Sequence, residues 1–168
     1  GCNKVPSGNV GVKVYLLGGE KGVDSEELGP GRYWIGMNEE LHLFPTFTQN
    51  YTWTYDAREG SPNNEAITFQ TREGMSVSAD IGIAYRINPS SVNTIFQRFR
   101  KGIEEITDLY LRNVVRDALN KEASSKKVEY VYGKGKAELI ENVEKSVQNE
   151  VKDLGIIVER ISFIGSLR

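Results

Sequence analysis

The chain has 168 residues, with 21 Lys plus Arg against 23 Asp plus Glu, so it lacks the basic excess that neutralises phosphates, and DNA and RNA are excluded as partners. One Cys (Cys2) and one His (His42) leave no CxxC, no HExxH and no second imidazole, which removes the common metal sites and nucleophile arrangements. The length fits one domain that buries roughly 70% of its unfolded surface, needing neither disulfide nor metal.

Residues 1–8, GCNKVPSG, begin without methionine and are polar. A Gly immediately before a Cys is what remains of a bacterial lipoprotein signal, where the Cys becomes the lipidated first residue. The expectation is therefore a lipidated Cys2 on a short N-terminal tether over residues 1–8, in a bacterial cell envelope. The bland alternative is a tag-derived Gly beside an ordinary Cys. A Cys2–His42 dyad is conceivable, but nothing holds Cys2 in place, and His42 in Leu41-His42-Leu43-Phe44 reads as a strand residue turned to solvent or to a polar partner.

Alternation of Val10, Val12, Val14 and Leu16 with Gly11, Lys13 and Tyr15 predicts a first strand over Asn9–Leu17, ended by Gly18-Gly19. Glu20–Glu27 is a charged loop, and the glycine-proline turn in Leu28–Trp34 feeds a second short strand. Leu41–Tyr55 is rich in aromatic and β-branched residues and holds Pro45, so it predicts two strands or one strand broken at a bend. Tyr51, Trp53 and Tyr55 alternate as a core face would. Phe44, Pro45 and Phe47 fit a core as readily as an aromatic belt at a lipid interface, and they are candidates for membrane contact only through the family resemblance given below. Residues 57–65, AREGSPNNE, form a loop.

Ile67–Ile87 predicts a hairpin around which the rest is organised. In its long arm Val77, Ala79, Ile81, Ile83, Tyr85 and Ile87 share one face, and Ser78, Asp80, Gly82, Ala84 and Arg86 the other. The turn is Arg72-Glu73-Gly74. Asn88-Pro89-Ser90-Ser91 then supplies a stop and an N-cap for a short helix over Val92–Arg100. A longer helix over Ile103–Ala123 buries Ile103, Ile106, Tyr110, Val114 and Leu119 with Leu111, Val115 and Ala118, leaving Arg112, Arg116, Asp117, Lys121 and Glu122 outside. Ser124–Gly135 reads as a loop. Its Gly133-Lys134-Gly135-Lys136 is too short for a phosphate loop and follows no buried strand. Lys136–Leu154 is a helix with Ala137, Ile140, Val143, Val147 and Val151 inward and a Glu141–Lys145 pair outside. Gly155 caps it before a last strand, Ile156–Ile164.

Four of these stretches, in this order, resemble the SPFH (band 7) family, which includes prohibitins, stomatins and flotillins. TFQTREGMSVSADIGIAYRINP is similar to the family's central hairpin, a T-x-D/E-G turn and a strand ending in Y-x-I/V-x-D/N-P, as Tyr85-Arg86-Ile87-Asn88-Pro89 does. Val5–Val12 and Leu28–Trp34 resemble the opening V-x-x-G-x-x-G-V/I and L-x-P-G-x-H/Y-F/W motifs, with Tyr33 where many members have His. LYLRNVVRDALNKEAS resembles the V-R-x-A-L/I-R helix, and Leu154–Ile161 the closing G-I/V-x-V/L-x-x-V/I motif. Within the family the chain looks most like the prohibitin branch.

The resemblance implies an α+β fold, an antiparallel β-sheet with packed helices over residues 9–168, with the downstream coiled coil of the family absent. It implies a membrane-associated scaffold on the membrane surface, a homo-oligomer forming rings or cages, which regulates a membrane AAA protease. It implies no enzyme and no cofactor. Adjacent carboxylates such as Glu26-Glu27, Glu39-Glu40 and Glu104-Glu105 diverge and make no acid/base pair. Two other classes stay open at this point: a monomeric lipid-anchored lipoprotein that binds a soluble ligand in a concave apolar pocket, and an enzyme using Cys2 or paired carboxylates.

Overall fold

A computed structural model describes residues 2–16, 25–55, 65–100 and 102–168. Its first half runs through β1 (Cys2–Val5), β2 (Asn9–Tyr15), β3 (Ser25–Leu28), β4 (Gly31–Trp34), β5 (Glu39–Pro45), β6 (Gln49–Trp53), β7 (Ile67–Gln70) and β8 (Ser76–Ile87). The second half holds α1 (Val92–Phe99), α2 (Ile103–Glu105), a π-helical turn (Ile106–Leu111), α3 (Arg112–Ala123), α4 (Val128–Tyr132), α5 (Lys136–Val151) and β9 (Ile156–Ile164). Antiparallel sheets with packed helices make this an α+β fold, as expected.

β8 is the axis. Its odd-numbered residues from Val77 to Ile87 are buried and the even-numbered ones from Ser78 to Arg86 are not, which is the predicted alternation. β7 pairs with Ser76–Ala79, β6 with Ile81–Tyr85, and β9 with Asp80–Ile87. Since β6 and β9 share partners on β8, they lie on opposite edges of it. The buried face is covered by α3 and α5, whose Leu119, Val115, Val143 and Val147 join Ile81, Ile83 and Ile87 in one core. Gly155 ends the last helical turn in the left-handed region (φ 83°), where a side chain would also collide with Ser91.

Several expectations change under packing. The helix predicted over Ile103–Ala123 carries a π turn, whose extra residue brings Ile106, Thr107 and Leu111 together on the buried side. Thr107 Oγ1 donates to the Ile103 carbonyl at 2.9 Å and meets the Tyr85 hydroxyl at 2.5 Å. In α5 the core face is Leu139, Val143, Val147 and Val151, a step of four throughout; Ala137 is exposed and Ile140 half-buried. The larger Leu139 takes the inward position because it removes more apolar area from water than Ala137 would. The Glu141–Lys145 pair forms at 3.2 Å.

Three elements occupy stretches read as tether or loop. α4 lies within Ser124–Gly135, its Val131 buried and its first free N–H, on Val128, held by the Glu73 carboxylate at 3.2 Å. β3 takes Ser25–Leu28 from the charged loop, because β2 offers it a partner edge. β1 takes Cys2–Val5 from the predicted tether and pairs with β4, Cys2 opposite Trp34 and Val5 opposite Gly31. The reason is Val5, which is 1% exposed. It lies over Gly11, where a Cβ would meet Val5 Cγ2 at 2.7 Å and Leu41 Cδ1 at 3.0 Å. The predicted Gly18-Gly19 strand end, most of the Glu20–Glu27 loop and residues 57–64 of the second loop lie outside the described residues.

Candidate functional site

The β3-β2-β5 sheet has two faces of different kind. Val10, Val12, Val14 and Phe44 point into the main core and meet α1, through Phe44 and His42 against the Phe96 ring. On the other face Gly11 and Leu41 receive the β1–β4 ribbon through Val5. α1 is tied to β3 by side chains as well: Ser25 donates to Asn93 at 2.8 Å and Gln97 to Ser25.

From Pro45, next to the main sheet, β5 runs back to a tip where Glu39 faces Tyr15. The tip is a stiff turn. Glu39 Oε1 accepts the Gly36 N–H at 2.6 Å, Lys13 Nζ lies 3.0 Å from Glu39 Oε2, and the Leu16 N–H donates to the Asn38 carbonyl at 2.8 Å. The Gly36 N–H, and Lys13 after it, hold the Glu39 carboxyl below the usual carboxylate range. Beside it Glu26 accepts from the Tyr15 hydroxyl at 3.0 Å and raises that phenol.

This turn presents apolar side chains to solvent. Met37 is 99% exposed, Trp34 74% and Leu16 39%. Cys2, exposed as well, stands opposite Trp34 in the ribbon. Cys2 and Trp34 are thus paired in the ribbon, Met37 follows on the turn after β4, and the Leu16 backbone is bonded to the same turn, at the end of β5 away from Pro45.

Of the residues predicted to touch a membrane, Phe44 is completely buried against Phe96 and is corrected to a core residue, because its register partner Val10 faces the same core. Pro45 is half-buried. Phe47 is 56% exposed, but it lies against Gly8 at the opposite end of β5 from the tip. Tyr51 and Trp53 follow the core reading, Trp53 fully buried and Tyr51 partly so; Tyr55 is exposed beneath the Arg168 guanidinium. Trp34 and Met37, exposed at the tip, are not among the residues expected to touch a membrane. The signal was there in Gly36-Met37-Asn38, a large apolar residue inside a polar turn, where nothing local can bury it.

The Cys2–His42 dyad does not form. His42 faces α1, with Nε2 3.3 Å from Glu40, while Cys2 belongs to the ribbon on the other face of the same sheet. Among the described residues no group of His, Cys, Asp and Glu could hold a metal ion, and no helix is long and apolar enough to cross a membrane. The recesses at the surface are open grooves, such as one of about 310 Å³ on the uncovered face of β8 beside Gly82 and Ala84.

The family model described as "SPFH domain / Band 7 family" matches residues 3–168. No curated protein matches the chain.

Proposed function

The chain belongs to the SPFH domain / Band 7 family, whose members are in general membrane-associated scaffolds without enzymatic activity, and from that premise we propose that it is a lipid-anchored scaffold assembling with copies of itself into a ring or cage on a membrane. The tip of the N-terminal sheet is the part that meets the bilayer. Cys2 carries the lipid, in a bacterial cell envelope; the Trp34 ring lies at the interface, where its apolar body and polar N–H are both accommodated; Met37 and Leu16 enter the acyl boundary.

One observation carries this reading: Trp34 and Met37, the two most exposed large apolar side chains described, stand on β4 opposite Cys2 and on the turn that follows it, which Glu39 braces through the Gly36 N–H. A single lipid chain gives only marginal, reversible attachment. Added apolar contacts at the tip, multiplied over many linked copies, make it stable because each bound copy raises the effective concentration of the next. Resemblance to the prohibitin branch supports a membrane AAA protease as the enclosed partner, its access to substrates limited by the ring.

Flotation of the full-length protein with phospholipid vesicles tests the tip. Replacing Trp34 and Met37 with Ser is expected to lower the bound fraction at least about tenfold, since each removes apolar burial worth roughly 1.5 kcal/mol or more. Cys2→Ser is expected to release the protein from cell membranes. Unchanged partition in both variants overturns the reading. A soluble monomer after gentle detergent extraction of the wild type would overturn the scaffold and bring forward the ligand-binding lipoprotein.

A further inference from the structure

The π turn pushes one apolar side chain out into water: Leu109 is 61% exposed. Around it Glu104, Glu105 and Asp108 are all exposed, three carboxylates within about two helical turns. The turn cannot swing freely. Thr107 meets Tyr85 on β8, and the Asp108 carboxylate, near Tyr51 on β6, adds to the burial that raises that phenol. An apolar knob in an acidic collar is thus fixed on the β6 side of the sheet, at the Ile83–Tyr85 level of β8.

On the β9 side, from the Tyr85 level to Ile87, is a groove of about 470 Å³ between α5 and β9. Its floor is Ile156, Ile157 and Val158, which pair with Ile87, Arg86 and Tyr85, and its rim carries Lys145, Gln148 and Lys152. Lys145 shares its charge with Glu141, and Asp153 follows Lys152. Gln148 Nε2 donates to the Val158 carbonyl at 2.9 Å, so that this backbone acceptor is closed and the groove is offered as a surface rather than as a strand edge.

We propose that the Leu109 knob of one copy seats in the α5–β9 groove of the next, the acidic collar facing Lys145 and Lys152. This deepens the scaffold reading above and rests on it. The two patches differ, lie on opposite sides of β8 and overlap along it at Tyr85. Such a contact is heterologous, each copy giving its knob to one neighbour and its groove to the other, which closes into a ring when the rotation per copy permits. An apolar anchor in a desolvated recess supplies affinity, and opposite charges at its margin supply register and choice of partner.

The test is the particle mass of the full-length protein after gentle detergent extraction, with circular dichroism as the check on folding. Leu109→Glu changes an exposed residue, so the domain stays folded; assembly is expected to weaken at least about tenfold. Lys145→Glu with Lys152→Glu is expected to weaken it too, and adding Glu104→Lys with Glu105→Lys is expected to restore it by reversing both charges. A wild-type assembly that Leu109→Glu leaves at full size overturns this contact while the scaffold stands. A monomeric wild type overturns both.

Discussion

The helix-backed sheet around β8 and the N-terminal sheets of β1 to β5 treat their apolar residues in opposite ways. Around β8 every inward residue from Val77 to Ile87 is buried in one core with α1, the π turn, α3 and α5, and helix side chains bond to the backbone at β7 and β9. Arg112 donates to the Glu65 and Ala66 carbonyls ahead of β7, and Asn120 accepts the Gln70 N–H; on β9, Glu144 accepts the Ile161 N–H and Gln148 donates to Val158. At the N-terminal end, among the described residues, no helix lies over the ribbon. A few side chains, Val5, Leu28 and Ile35, are buried there outside the main core, while Trp34 and Met37 remain in solvent. The first region is built to be stable and the second to present a surface. In one small domain, burial of apolar area and its display compete for the same residue types, and the cover of helices decides between them.

Core truncation should mark the contrast most strongly. Ile81→Ala or Leu119→Ala is expected to lower the unfolding free energy by about 3 kcal/mol in urea titrations, whereas Trp34→Ser and Met37→Ser should stay within about 0.5 kcal/mol of wild type. Equal losses in the two regions would end the distinction. Next, Gly11→Val puts a side chain into the space that Val5 occupies, and about 2 kcal/mol of destabilisation is expected from overpacking. Hydrogen exchange should then show Cys2–Val5 and Gly31–Trp34 opening while β8 stays protected; a loss of protection spread over β8 would mean that the ribbon is part of the main core.

A smaller effect is expected at the sheet edge. Gln148→Ala frees the Val158 carbonyl and should cost about 1 kcal/mol, with faster aggregation on heating as the readout that separates an opened edge from a simple loss of stability. The smallest is electrostatic. The Arg168 guanidinium, 2.6 Å from Asp80, and after it the Tyr55 N–H hold the Asp80 carboxyl below its usual range. A depressed folded-state pKa adds stability that is present above the ordinary carboxylate value of about 4 and is lost as pH falls through the folded value. Asp80→Asn should therefore flatten the acid limb of the stability profile below about pH 4, by about 1 kcal/mol or less because Arg168 is part-exposed and solvent screens the pair; an unchanged acid limb would remove Asp80 from the account.

How legible each part was follows from the range of the forces involved. β8 was readable residue by residue, since a period of two over Val77–Ile87 admits one geometry, and so were the Gly155 cap and the Glu141–Lys145 pair, which depend on neighbours within a turn of helix. The order of elements carried the family, because turns and alternation recur along residues 3–168 in one sequence. β1, β3 and α4 were hidden, for their reasons lie elsewhere in the chain: the bare backbone of Gly11 under Val5, the free edge of β2, and Glu73 at the start of α4. The site was legible in part: Met37 inside the polar turn Gly36-Met37-Asn38 reads locally as exposed, whereas the pairing of Trp34 with Cys2 depends on distant residues. Sequence alone determined which residues are apolar and which alternate; only tertiary structure decided that Phe44 lies under α1 and Met37 in water, because burial belongs to what covers a side chain and not to the side chain itself.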